Sequence, residues 1–189
     1  MTARKRAKRK LKTYWDSCVF ISWMKNEKRA GKDMHGVAEA VHKVEAGQMS
    51  VITSRITPEE EIDAAKHTTE AMDKLRGLLS RSNVEEKDVT PWIRKTAEEL
   101  VEHYAQQHAI DGAGILTWND AIHLATALSF GVDALYTFDN GKKPAKVSGN
   151  SVKSRSLLSL DGDLAGRPLK VCKPPVHQLS YLVEDDEQE

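Results

Sequence analysis

Four carboxylates stand where the chain could do chemistry. Asp16 closes the stretch "LKTYW" and Asp139 follows "VDALYTF", both of which read as strands. Glu60 falls three residues after Thr57, and Asp120 three after Thr117, each at the opening of a helical pattern. In an open parallel sheet, strand ends and the helices leaving them share one edge, and ligands bind there. Acids gathered at such an edge repel one another, so one or more must take up a proton unless a cation sits among them. Mg²⁺ or Mn²⁺ suits a set of carboxylate oxygens and keeps several waters. Such ions activate water and, in pairs, clamp a phosphodiester during in-line displacement. The placement therefore predicts metal-assisted phosphodiester hydrolysis ahead of acid–base work without metal.

Each acid also has a local use. Glu60 completes a capping box with Thr57, and Asp120 with Thr117, and both suit the positive end of a helix. Asp16 can start a turn with Ser17, and Asp139 with Asn140-Gly141. The local uses do not predict that all four acids share one edge. The two uses are also compatible, since a capping carboxylate keeps a second oxygen.

The elements that must position these acids alternate between strand and helix. "LKTYWDS" predicts a first strand, and "CVFISWMKNEKR" a helix or helical turn ending before Gly31. Val37, Ala40, Val41 and Val44 recur at helical intervals up to a glycine stop at Gly47. "MSVITS" is a β-branched strand. A helix is predicted from Thr57, with Pro58 at its first position, and another from Thr90-Pro91. "TWNDAIHLATALSFG" is a third clear helix, with Ala121, Leu124, Ala125 and Leu128 on one stripe. "VDALYTF" and "LKVCKP" are strands, and the Gly-, Ser-, Lys- and Pro-rich residues 140 to 156 read as a long loop. One further strand is expected near Val84 to Val89. The alternation predicts an α/β fold, a parallel sheet with helices on its faces.

Composition bounds the function. The 189 residues are 40% hydrophobic and 30% charged, with zero formal net charge, as in an ordinary globular domain. Residues 1 to 12 hold seven of the 28 Lys and Arg and no acid, while the tail "VEDDEQE" holds five of the 28 Asp and Glu and no base. Between them acids slightly outnumber bases, so charge alone does not make the body a nucleic-acid binder. The expected organisation is a basic, disordered arm over 1–12, a domain over 13–176 and an acidic tail over 177–189. The arm could also grip phosphates or serve as a localisation signal. Two cysteines, Cys18 and Cys172, make no disulfide framework. Polar residues interrupt any secretory core after the basic start, and no apolar run approaches membrane-spanning length, so a cytoplasmic location is expected.

"YWDSCVFISW", "TSRITPEEEI", "NDAIHLATAL", "GVDALYTFDN" and "LKVCKP" together resemble a PIN domain, in order and spacing, from about residue 12 to residue 175. The likeness is closest to VapC-like toxins and their small stand-alone relatives. It implies a three-layer α/β/α sandwich with a central parallel sheet. It also implies a Mg²⁺- or Mn²⁺-dependent endoribonuclease acting on RNA, often a homodimer, with 5′-phosphate and 3′-hydroxyl products. Many members are toxins held inactive by a cognate antitoxin protein. On the matching positions the catalytic and metal-holding acids are Asp16, Glu60, Asp120 and Asp139, with Ser17 and Thr137 as hydroxyls that orient them. The pattern departs at Glu60, which is followed by Glu61 where an apolar residue is usual. The register from Ile56 and Thr57 favours Glu60, with Glu61 second and Glu59 a poor third. Residues 140 to 156 are also longer than in compact toxins.

Other residues are weighed against blander uses. Asp161 and Asp163 are expected in a turn at "DGD". His123 is expected at the surface of its helix near the cleft rim, and Trp15, Trp23, Trp92 and Trp118 in core or rim packing. Arg55, Lys142 and Lys143 are candidates to hold an RNA backbone. Two further functions remain open: a non-catalytic RNA- or protein-binding module, and a phosphatase. Cys18 replaces the second acid of an Asp-x-Asp phosphatase motif, which disfavours the latter.

Overall fold

The computed structural model describes residues 9–27, 33–57, 67–141, 145–147 and 150–175. Five strands form one parallel sheet: β1 Leu11–Trp15, β2 Met49–Ser54, β3 Val84–Lys87, β4 Ala134–Tyr136 and, after an intervening hairpin, β7 Val171–Cys172. Their order is β3-β2-β1-β4-β7, with Tyr14 beside Ile52 and Trp15 beside Tyr136. The order runs one way from β1 to β3 and the other way from β1 to β7. The reversal lies between β1 and β4, where an open α/β sheet leaves a crevice beyond its strand ends.

Among the described residues, five α-helices cover the sheet. α1 Ser17–Met24, α2 Asp33–Glu45 and α3 Thr69–Leu79 lie over one face, where Trp15, Val51, Ala134 and Tyr136 join their core. α4 Pro91–Asp111 and α5 Trp118–Ser129 lie over the other, with Tyr14, Ile52 and Leu135. The alternation of Tyr14 and Trp15 between the two cores follows from the two-residue period of a strand. The result is the expected α/β/α sandwich.

Local signals set most boundaries. Thr90 accepts from the Ile93 amide at 3.3 Å with Pro91 behind it, and Thr117 accepts from the Asp120 amide at 3.2 Å. Gly112, at φ 65, ends α4, and Gly47 has φ 68 beyond α2. The helix expected from Thr57 differs. Ile56 and Thr57 already form part of a helical turn, residues 58–66 lie outside the described set, and α3 starts afresh at Thr69. Its cap is Thr68, whose hydroxyl accepts from the Ala71 amide at 3.2 Å.

The segment after β4 is not wholly a loop. β5 Ala145–Val147 and β6 Asn150–Val152 pair antiparallel, Lys146 beside Ser151. The returning strand crosses Ile115, whose amide donates to Lys153 O at 3.0 Å and whose carbonyl accepts from the Arg155 amide at 2.7 Å. Gly114, at φ 102, permits this crossing, because a Cβ there would stand 2.8 Å from the Ser154 backbone. Arg155 is buried, donates from Nε to Gly114 O at 3.2 Å and lies 4.8 Å over the Tyr104 ring. At the opposite edge of the sheet, Arg9 pairs with Asp133, and the Lys12 amide donates to the same carboxylate at 2.8 Å. Among the described residues no helix is long and apolar enough to cross a membrane.

Candidate active site at the carboxyl edge of the sheet

Asp16 immediately follows β1 and is 5% exposed. Its amide continues the sheet by donating to Tyr136 O at 3.1 Å. It occupies the cap position of α1, yet its side chain caps nothing. The carboxylate instead collects donors from two segments. Ser17 Oγ donates to Oδ1 at 3.1 Å, Cys18 Sγ to Oδ2 at 3.0 Å, and Thr137 Oγ1 to Oδ2 at 2.6 Å. Thr137 is fully buried and also accepts the Asp139 amide at 2.9 Å. One hydroxyl thus couples the two strand ends on either side of the crevice.

Asp120 sits in the first turn of α5 and accepts a short hydrogen bond from Thr117 Oγ1. The bond is with the cap's hydroxyl rather than its backbone amide, so this is a variant of the expected box. Burial pushes the Asp120 carboxyl up to about 6, opposed by the Thr117 bond and reinforced by the charges of Asp16 and Asp139. Acids from β1, β4 and α5 therefore share one electrostatic site, although they are far apart in sequence.

Asp139 is held differently. Its Oδ1 accepts the Gly141 amide at 3.2 Å, as in the expected turn, and its Oδ2 accepts the Leu157 amide at 2.9 Å. Leu157 opens a short 3-10 helix, Leu157–Leu160. A carboxylate oxygen has two lone pairs, so neither bond by itself bars a metal. Glu60 and Glu61 lie outside the described residues, as do Lys142 and Lys143. Among the described residues no three of His, Cys, Asp and Glu are disposed to hold a metal ion.

Two site neighbours differ from their sequence expectation. His123 is fully buried rather than at a helix surface. The physical reason is that α5 is covered by both the sheet and α4, so Ala121 through Ala127 are all buried. Its Nδ1 lies 2.6 Å from the Tyr14 hydroxyl and its Nε2 3.5 Å from Asp16 Oδ1. Cys18 joins the site without any signal in its residue type. Its thiol is pushed well above its usual range by burial first and then by the Asp16 charge, which keeps it a donor to that carboxylate. The adjacency of Cys18 and Tyr14 to Asp16 is visible in the sequence; their direction is not.

The remaining candidates sort by position. Asp163 Oδ1 accepts the Gly166 amide at 2.7 Å in a local turn, whereas Asp161 Oδ1 accepts the Val171 amide at 2.7 Å, ten residues on, and ties its segment to β7. Trp15 is in the core and Trp23 packs against it. Trp118, two residues before Asp120, is 41% exposed and Trp92 67% exposed, so neither lies in the core. Arg55 pairs with Asp88 at 3.1 Å.

The donor set of Asp16, Asp120 and Asp139 is all oxygen, the chemistry that hard divalent cations prefer. Comparison with known proteins gives the context. No curated protein sequence matches the chain. Among solved structures, VapBC2 from Rickettsia felis, bound to a promoter DNA fragment, is 15% identical, with 67% of this chain and 87% of that one covered at a TM-score of 0.51. A toxin–antitoxin complex from Klebsiella pneumoniae is 23% identical over 72% of this chain and 93% of its own, at a TM-score of 0.47. VapC20 from Mycobacterium tuberculosis, a sarcin–ricin loop cleaving toxin, is 17% identical over 68% and 90%, at 0.42. The first of these supports the fold alone. The family model described as PIN domain matches residues 13–147, which spans β1 through the first strand of the hairpin. The chain belongs to the PIN-domain family.

Proposed function

We propose that this protein is a metal-dependent endoribonuclease that hydrolyses RNA phosphodiester bonds, and that it is the toxin of a toxin–antitoxin pair. The observation that carries the reading is that Asp16, Asp120 and Asp139 lie within electrostatic reach of one another at the strand-order reversal, where burial first and then the charges of Asp16 and Asp139 raise Asp120 to about 6. Asp16, Asp120 and Asp139, together with Glu60, would hold Mg²⁺ or Mn²⁺. When bound, the ion would supply an activated water and neutralise charge on the scissile phosphate. The chain's own part is orientation. Thr137, Ser17 and Cys18 fix the Asp16 carboxylate, and Thr117 fixes Asp120. Trp118, exposed at the start of the helix that carries Asp120, offers a ring on which a base can stack.

The test is incubation of purified protein with RNA and Mn²⁺, with and without chelator. Cleavage should need the metal and vanish in Asp16→Ala and Asp120→Ala. Cleavage that ignores the chelator or survives both substitutions defeats the reading. Toxin–antitoxin assemblies among the similar structures motivate the partner proposal. A segment of that partner would lie over the crevice and offer Arg or Lys to its carboxylates. Purification from the native host should bring down a small basic partner, and recovery of the protein alone counts against it.

A second reading is a non-catalytic RNA- or protein-binding module. Its support is that both Asp139 oxygens serve backbone amides and that no three-residue metal cluster occurs among the described residues. Titration calorimetry with millimolar Mn²⁺ separates the two, since the module should give no binding heat.

A further inference from the structure

Tyr14 and His123 are both fully buried, one on β1 and one on α5, and their rings meet at a centroid distance of 5.7 Å. The Ser54 amide, at the end of β2, donates to the Tyr14 oxygen at 3.0 Å. The same oxygen lies 2.6 Å from His123 Nδ1. A phenol has one proton and accepts readily through one direction in its plane. With Ser54 occupying the accepting side, the Tyr14 O–H is the group that points at Nδ1. Nδ1 must then present its lone pair, and a neutral imidazole carries its proton on Nε2. Nε2 is the nitrogen that faces Asp16 Oδ1, at 3.5 Å.

We propose that Tyr14 locks His123 as an Nε2–H donor toward the acidic site, so that His123 is a positioning residue for Asp16 and not a metal ligand. Direction passes from the β2 amide through the phenol and imidazole to the carboxylate. Both ring nitrogens are thereby committed: Nδ1 to Tyr14 and Nε2 to its proton. Oδ2 of Asp16 is held by Thr137 and Cys18, and Oδ1 by Ser17. The His123 N–H faces Oδ1 from the α5 side of the sheet at 3.5 Å, an electrostatic contact longer than a hydrogen bond, and biases the carboxylate toward that side. The part of the proposal that concerns metal rests on the nuclease reading; the tautomer does not.

The experiment uses the full chain labelled with ¹⁵N-histidine, metal-free and mildly alkaline. Long-range proton–nitrogen correlation should show His123 as a single Nε2–H tautomer in the wild type. In Tyr14→Phe the Nδ1–H form should become populated. A proton on Nδ1 in the wild type overturns the relay outright. Mn²⁺ affinity is then measured by calorimetry. Tyr14→Phe and His123→Ala should weaken it about tenfold or more, as loss of a ligand-orienting partner does. His123→Gln, which keeps an N–H donor, should recover most of that loss. Unchanged affinity in Tyr14→Phe and His123→Ala, with the tautomer as expected, removes the positioning role. If the wild type binds no Mn²⁺, the nuclease reading fails while the tautomer result still decides the relay.

Discussion

The Asp139 carboxylate accepts the backbone amide of Leu157, 18 residues further on, at 2.9 Å, while its second oxygen accepts that of Gly141. The two amides belong to the two feet of the β5–β6 hairpin. Asp139 thus closes the segment that separates it from the 3-10 helix, in addition to facing Asp120. Removing it should cost stability even without metal. Asp139→Ala is expected to lower the unfolding free energy by about 1 to 2 kcal/mol, the cost of leaving two part-buried amides unpaired. Urea unfolding measures this, and faster amide exchange confined to residues 141–157 locates it. An unchanged midpoint would show that the two bonds contribute nothing.

Asp120 should make metal-free stability fall as pH rises. Its carboxyl titrates near 6 in the folded chain against an ordinary value of 3.8, chiefly because it is buried. The folded state therefore holds the proton more tightly than the unfolded one. The resulting stabilisation is complete below about 4 and is lost as pH passes through about 6. Asp120→Asn should flatten this dependence and raise metal-free stability at neutral pH by about 1 to 2 kcal/mol. Thermal melts across that pH range, with and without chelator, decide it. Added Mn²⁺ should stabilise the wild type more at neutral pH than at acid pH, and Asp120→Asn little at either.

Thr137 donates to Asp16 and accepts from the Asp139 amide, so it should matter beyond its size. Thr137→Val preserves shape and removes both bonds. Mn²⁺ affinity should fall about 10- to 100-fold, as for other ligand-orienting partners, and RNA cleavage with it. Thr137→Ser should stay close to the wild type. Equal losses in both variants would point to packing rather than hydrogen bonding.

Residues 142 to 155 contain Lys142, Lys143, Lys146, Lys153 and Arg155 and no acid. Arg155 is already committed to Gly114 and Tyr104. The four lysines are the ones expected to meet phosphates. Replacing Lys142, Lys143 and Lys153 by Ala should weaken single-stranded RNA binding. The slope of log affinity against log salt should flatten by about 0.7 for each phosphate no longer neutralised. Fluorescence anisotropy in a salt series measures the slope, and an unaltered slope sinks the assignment.

Much of this protein is legible as sequence because the signals are local. Thr90-Pro91 and Thr117 fix helix starts through bonds spanning three residues, and Gly112 fixes a stop through its own φ. β-Branched runs mark β2, and the spacing of acids after strands puts Asp16 and Asp139 at one edge. What the tertiary structure alone decided depends on neighbours distant in the chain. The strand expected near Val84 to Val89 is β3, but "VEEK" carries no strand period of its own, and its bounds and place are set by pairing with the edge of β2 and by Asn83, which bonds the carbonyls of Val44 and Met49. The hairpin within residues 140 to 156 is pinned by Asp139, Gly114 and Ile115, none of which announces that role in the sequence. His123 reads as a rim residue because one apolar stripe on α5 leaves it outside. The sheet under α5 carries both Tyr14 and Asp16, and docking of the helix on it brings the imidazole against them, while α4 covers another side of α5. A helix's period shows which residues share a face, whereas the number of faces that are covered is set by the rest of the fold.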